Sequence, residues 1–253
     1  MSSEIAGTKT MYRAVVLDNA GHSSVSKIRQ SAVPAPELTI EFPPDGWRVR
    51  DTAEIRAVAD PERSDHVVTF ERSIDGGAWT DVGTDDSSPV YTLFDDLSAL
   101  DLAEGTPITY RATLHYAGGG TVSAEQTVTA ASPTPYETAT LHYLRPAGDY
   151  GEPPGDGWGL HMWGDAVDPA VLDQIAWDNP WPRTGVTNAW ADYEIPLVDD
   201  TKPVNFIMHL PGGDTVPTTR EPGGDRSFVP LQANEVWIVQ GDPTVYTSQP
   251  NAP

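Results

Sequence analysis

The chain of 253 residues contains no cysteine. Disulfides, thiolate nucleophiles and cysteine-ligated zinc are therefore excluded. That absence leaves the compartment open, since a secreted protein needs no disulfide. Basic residues are scarce: 15 Lys and Arg stand against 37 Asp and Glu, a formal net charge of −22. Nucleic acid is not an expected partner on that balance, because phosphate contacts are made by Lys and Arg. A neutral polysaccharide carries no charge to repel, and the acidic excess reads most simply as a solubility feature. No run of about eighteen or more apolar residues occurs, so no membrane-spanning helix and no membrane partner are expected. The opening residues Met1-Ser2-Ser3-Glu4-Ile5-Ala6 lack the basic start and apolar centre of a signal peptide.

What the chain has in quantity is turn formers, 22 Gly and 24 Pro, against a hydrophobic content of 38 %. That mixture reads as many short strands joined by turns. The expected fold class is all-β: two consecutive antiparallel β-sandwich domains, 36–133 and 136–249, after a truncated N-terminal sandwich remnant over 1–35.

A repeat supports that division. Gly7-Thr8-Lys9-Thr10-Met11-Tyr12-Arg13-Ala14 recurs as Gly105-Thr106-Pro107-Ile108-Thr109-Tyr110-Arg111-Ala112. The offset of about 98 residues is the size of one immunoglobulin-like sandwich. Both copies run through a Gly-containing turn into a second strand and end in a Pro-spaced linker, Pro34-Ala35-Pro36 or Pro133-Thr134-Pro135. In the complete copy, alternation puts Ile108, Tyr110, Ala112 and Leu114 on one strand face. Earlier strands read from Leu38 to Phe42, Thr52 to Ala59 and Val67 to Ile74, with Asp75-Gly76-Gly77 as a hairpin signal. The approach through Leu102 and Gly105 to Tyr110 resembles a late strand of fibronectin-type modules. Two strands alone make at best a marginal unit. Residues 1–33 are therefore expected to be poorly anchored or to pack on the next domain. Trp47 and Trp79 read as core or edge plugs of a spacer domain.

Six of the eight Trp residues lie between Trp158 and Trp237. Packing alone does not need so many, and exposed aromatics need a partner. A flat indole suits the apolar C–H face of a sugar. In Trp158-Gly159-Leu160-His161-Met162-Trp163, alternation gives Trp158, Leu160 and Met162 one face, the core, and His161 and Trp163 the other. Trp177, Trp181 and Trp190 read as packing. Trp237, in Val236-Trp237-Ile238-Val239, reads as core.

Three blocks, Leu141-His142-Tyr143-Leu144-Arg145-Pro146, Asp156 to Asp165, and Glu235 to Tyr246, stand in the order seen in a known family. They resemble the starch-binding module found at the N-terminus of bacterial pullulanases, carbohydrate-binding module family 41. The resemblance implies a small β-sandwich that holds α-glucans without chemistry. It implies that the two outward positions of the Trp158–Trp163 strand are stacking platforms; here His161 fills the first and Trp163 the second. It also implies a basic residue and a carboxylate on a later loop. Thr219-Arg220-Glu221-Pro222-Gly223-Gly224-Asp225 fits, with Arg220 as donor and Asp225 as acceptor for sugar hydroxyls. The loop from Leu210 to Thr215 carries neither the aromatic nor the Lys of some relatives. The candidate binding set is Trp163, His161, Arg220, Asp225 and Trp158, although parity puts the last on the core face.

The implied function is non-catalytic binding of pullulan, glycogen, amylopectin or malto-oligosaccharides by a monomer, as part of a secreted pullulanase or amylase. An enzyme is the first alternative. Glycoside hydrolysis needs paired carboxylates, yet no room remains for a barrel of about 250 residues beside two sandwiches. No Ser-His-Asp or His-x-x-x-His signature appears. The second alternative is a structural or adhesive module. No cofactor is expected beyond an incidental structural calcium, with Asp85-Asp86, Asp95-Asp96 and Asp199-Asp200 as loop candidates.

Overall fold

The computed structural model describes residues 9–32, 35–61, 65–153, 156–212 and 219–251. They fall in two compact units, Met1–Pro133 and Thr134–Pro253. Gly7 and Thr8 of the first repeat copy, Pro34 of its linker, and the Gly213–Thr215 part of the later loop lie outside the described residues.

The first unit begins with a hairpin. Strand β1 (Lys9–Tyr12) pairs with β4 (Arg29–Ala32), and β2 (Val15–Leu17) pairs with β3 (Ser23–Val25). Its tip is tied by Asp18, whose carboxylate accepts from the backbone N–H of Ala20 and of His22, both at 2.8 Å. Met11, Tyr12, Val15, Val16, Leu17, Val25 and Ile28 are all exposed. The hairpin therefore does not bury its apolar residues on the following sandwich, the second of the two outcomes expected for it.

That sandwich consists of β5 (Glu37–Phe42), β6 (Arg48–Val49), β7 (Thr52–Asp60), β8 (Val67–Ile74), β9 (Thr80–Asp85), β10 (Val90–Asp96), β11 (Pro107–Tyr116) and β12 (Gly120–Ala130). One sheet has the order β10-β7-β5 and the other β6-β12-β11-β8-β9. Alternation works as expected. Ala53, Ile55, Ala57 and Ala59 of β7 and Ile108, Tyr110, Ala112 and Leu114 of β11 point into the shared core. Asp75-Gly76 makes the turn after β8, closed by the Gly77 N–H on the Ile74 carbonyl at 2.9 Å. Arg111 covers Trp79 at 4.1 Å, and Trp47 packs against the core edge. Asp95 is buried beneath this sheet pair, accepting from the Tyr110 hydroxyl at 2.9 Å and paired with Arg72. A carboxylate so engaged is a strut of the core, not a loop ligand for calcium.

The second unit contains β13 (Thr138–Leu144), β14 (Gly159–Trp163), the one-turn helix α1 (Pro169–Leu172), β15 (Gly185–Thr187), β16 (Trp190–Pro196), β17 (Val204–His209), β18 (Arg226–Phe228) and β19 (Glu235–Val239). Its sheets have the orders β15-β16-β13-β19 and β14-β17-β18. Leu141, Tyr143, Leu160, Met162, Tyr193, Phe206, Met208, Val236 and Ile238 fill the space between them. Pairing is antiparallel except at β6–β12 and β13–β19, which run parallel. In the second unit the parallel pair joins the first and last strands, which reach each other through the rest of the domain rather than a hairpin.

Two Trp assignments change. Trp237 was expected in the core, yet it is half-buried and faces outward, stacked on His142 of β13 with ring centroids 4.9 Å apart. The inward residues of β19 are Val236 and Ile238; an apolar run that looked buried on both faces is shielded outside by an imidazole. His142 in turn meets Asp192 at 2.7 Å and Glu235 at 2.9 Å. Trp177, expected to pack, is 43 % exposed. Trp181 and Trp190 do pack, the former with its indole N–H on the Glu194 carbonyl at 2.8 Å.

Candidate functional site

The outer face of the β14-β17-β18 sheet carries the candidate residues. Strand β14 points Leu160 and Met162 inward and His161 and Trp163 outward. Trp163 is 38 % exposed at the end of its strand, opposite Asn205 of β17. The chain must turn away immediately afterwards. Gly164 has φ +115°, and a Cβ there would lie 2.9 Å from both the Pro203 carbonyl and the Asn205 amide. Only glycine fits such a position, so the indole is held at a fixed, open strand end.

Beside it lies a group of three rings. His161 stacks on Trp177 with centroids 4.6 Å apart and planes 22° apart. His209, the outward residue at the end of β17, is 4.7 Å from Trp177 and 5.5 Å from His161. Trp177 sits in the loop after α1. The backbones of Ala176 and Asn179 exchange two hydrogen bonds of 3.0 Å, and the Gly212 N–H donates to the Trp177 carbonyl at 2.5 Å. The loop is thus pinned on both sides of the indole.

Beyond His209 the ladder continues through a bridge to Arg220. Parity then sorts the next loop. Arg220 shares the outward side with His209, while Glu221, whose N–H donates to the Met208 carbonyl at 2.9 Å, turns inward with Met208. Arg220 reaches Asp225 at 3.1 Å, with the guanidinium half-buried and the carboxylate exposed. Trp163, His161, Arg220 and Asp225 therefore share one face of the domain. Trp158 is removed from the set: it is 3 % exposed in the core, with the Arg145 guanidinium 4.1 Å over its ring. Strand parity required this outcome, so its place among the binding candidates is corrected. Glu221, read as part of a loop pattern, is fully buried against Arg226.

The rings carry a charge constraint. His209 Nδ1 lies 2.7 Å from the Leu210 carbonyl, which only accepts, so Nδ1 bears the proton. In the neutral ring Nε2 is then an acceptor, and it is buried with no hydrogen-bond partner, as are His161 Nδ1 and Arg220 Nε. Burial pushes the His161 imidazole below its usual value; His209 is pushed the same way, first by burial and further by His161 and Arg220. A depressed histidine pKa means that the unfolded chain takes up the proton before the folded one does. The stability carried by the neutral rings is complete above about pH 6.5 and is lost as pH falls through the depressed values. The melting transition of this domain is expected to fall between pH 7.5 and 5, by roughly 4–8 °C for each kcal/mol of linked proton uptake. The slope should flatten in His209→Gln. An unchanged slope in that variant would show that other groups set the dependence.

Among the described residues no group of three or more His, Asp or Glu side chains is placed to hold a metal. Asp200 is buried and accepts from the Tyr136 N–H at 2.8 Å; Asp85 accepts from the Thr92 N–H at 2.6 Å. These carboxylates serve turns and strand joints.

Known proteins resemble this chain chiefly over this domain. Residues 137–247 match the family model of the bacterial pullanase-associated domain. An α-amylase of Streptomyces lividans is 34 % identical over 97 residues, which cover 37 % of this chain and 10 % of the amylase. The match thus spans about a tenth of that relative's length. Family 41 carbohydrate-binding modules from streptococcal virulence factors, solved for alpha-glucan recognition, superpose with a TM-score of 0.36 at 15 % identity, covering 73 % of this chain and 97 % of theirs. PulA from Klebsiella oxytoca gives a TM-score of 0.33 at 18 % identity, covering 46 % of this chain and 11 % of that one.

The matched stretch, residues 137–247, includes every candidate residue. The expected β14 pair and the expected Arg220–Asp225 pair lie on one sheet face. Trp177 and His209, which lie beside His161, were not among the expected binding residues. The signal that was available is composition: two more rings in the same domain, both on loops or strand ends, where parity alone does not tell an outward ring from a packed one.

Proposed function

We propose that the pullanase-associated domain binds α-glucan chains such as pullulan, glycogen, amylopectin or malto-oligosaccharides, and does so without catalysis. The supporting observation is Trp163, an open indole on a fixed strand end, on the same sheet face as Arg220 and Asp225. The apolar face of a glucose ring lies on the indole. The guanidinium donates to ring hydroxyls and the exposed carboxylate accepts from them. Such a shallow site releases ligand readily, which suits an accessory domain that keeps an attached, secreted amylase or pullulanase near its polymer by raising local concentration.

Affinity electrophoresis of the whole chain, in gels with and without pullulan or glycogen, tests this. Retardation in the polysaccharide gels, relative to a non-binding marker, is expected. Equal mobility in every gel sinks the reading. Release of reducing ends from pullulan would instead establish catalysis.

A further inference from the structure

We propose that Trp177, and not His161, is the second stacking platform of the glucan site, and that His161 and His209 are the cushion on which it rests. The proposal depends on the glucan-binding reading above and refines which rings meet the ligand.

One face of the His161 ring is already occupied. Trp177 lies over it, 4.6 Å between centroids and nearly parallel, so a pyranose has no room to stack there. The imidazole is half-buried, and its Nδ1 is sealed from solvent without a partner. It is therefore poorly placed to exchange hydrogen bonds with hydroxyls through that atom. His209 is more deeply covered and touches Trp177 from the strand behind it. Two imidazoles thus face the indole and none of the three rings is left loose.

Trp177 has the opposite character. It is more exposed than Trp163, 43 % against 38 %. An exposed indole is costly to leave in water unless something covers it. Its orientation is fixed before any ligand arrives, by the two-way Ala176–Asn179 pairing, by the Gly212 N–H on its carbonyl and by the Asn179 amide on the Gln174 carbonyl at 2.7 Å. A ring ordered in advance loses little entropy on binding. Trp163 stands two residues beyond His161 on the same strand face, so the ring that caps His161 belongs to the same surface as Trp163. The bridge from His209 to Arg220 brings the polar pair to the same surface. Two separate indoles call for two pyranose rings, so the minimal ligand is an oligosaccharide and not free glucose.

Titration calorimetry of the whole chain with maltoheptaose tests the assignment, using Trp177→Ala, Trp177→Phe, His161→Ala and His161→Phe. Loss of Trp177 should weaken binding about 30-fold, the effect of truncating an anchoring aromatic. Trp177→Phe should recover most of that. His161→Phe should bind nearly as the parent does, because a benzene ring still supports the indole. The proposal is overturned if Trp177→Ala binds as tightly as the parent, or if His161→Phe loses as much as Trp177→Ala while melting at the parent temperature. Should Trp177→Ala not fold, the ligand-induced change in indole fluorescence decides: it should shrink in Trp177→Phe, and an unaltered amplitude rejects the platform. Failure of the parent itself to bind maltoheptaose is a different result, because it removes the glucan reading and not merely the choice of ring.

Discussion

Trp163→Ala is expected to weaken maltoheptaose binding by about 100-fold, and to abolish retardation in pullulan gels, with the melting temperature of the domain almost unchanged. The two halves of that expectation come from the same geometry. The indole projects outward, so its removal leaves no cavity in the core, and outward substitutions are usually worth less than about 0.5 kcal/mol in stability. Binding has no such insulation. A shallow site on a sheet surface offers few contacts, and the anchoring aromatic supplies a large part of them. About 100-fold corresponds to roughly 2.7 kcal/mol, the size of a strong hot spot. Trp163→Phe should lie between, since it keeps a smaller flat face. Calorimetry and a thermal melt on the same samples separate the two effects. Parent-like affinity in the alanine variant would show that the sugar lies elsewhere.

The legible part of this site was the part written in strand period. Alternation along Trp158–Trp163 sent Leu160 and Met162 to the core and left Trp163 open, and it buried Trp158 as well. The same rule oriented β7 and β11 in the first sandwich. What escaped was set by residues distant in sequence. Trp237 reads as core because all its immediate neighbours are aliphatic, yet the group that shields it is His142, on a strand formed 95 positions earlier. Trp177 reads as loop packing because nothing local distinguishes a tryptophan that caps two imidazoles from one that plugs a gap. Glu221 reads only as one member of the Thr219–Asp225 loop pattern. Its burial follows from the continuation of the β17 ladder through His209 and Arg220, a register fixed by pairing and not by composition. The repeat between the hairpin and the β11–β12 pair was readable as sequence, whereas the choice between a poorly anchored hairpin and one packed on the next sandwich was not.

Arg226→Met is expected to destabilise the second domain by about 3–5 kcal/mol, the usual result of stranding one member of a buried ion pair. Glu221 is wholly buried. One oxygen accepts from the Tyr143 hydroxyl at 2.5 Å, and the other accepts from the Gly241 N–H at 2.6 Å and faces Arg226 at 3.5 Å. Burial, more than the nearby carboxylate, raises the Tyr143 hydroxyl far above its ordinary range, so Tyr143 stays a donor. Arg226 also donates to the Asp242 carbonyl at 2.6 Å. Space for its guanidinium exists only because position 223 lacks a side chain, as a Cβ there would lie 1.7 Å from Arg226 Nη2. Methionine fills much of that space but leaves the carboxylate without a counter-charge. The transition of this domain should fall by well over about 10 °C. The companion test is Glu221→Leu with Arg226→Met. Nε and Nη1 of Arg226 have no partners even in the parent, so the pair compensates its own desolvation incompletely, and an apolar replacement of both members should cost much less than the single change. If the double variant is as unstable as the sum of the two single ones, the pair contributes through packing at each site, and the electrostatic account fails.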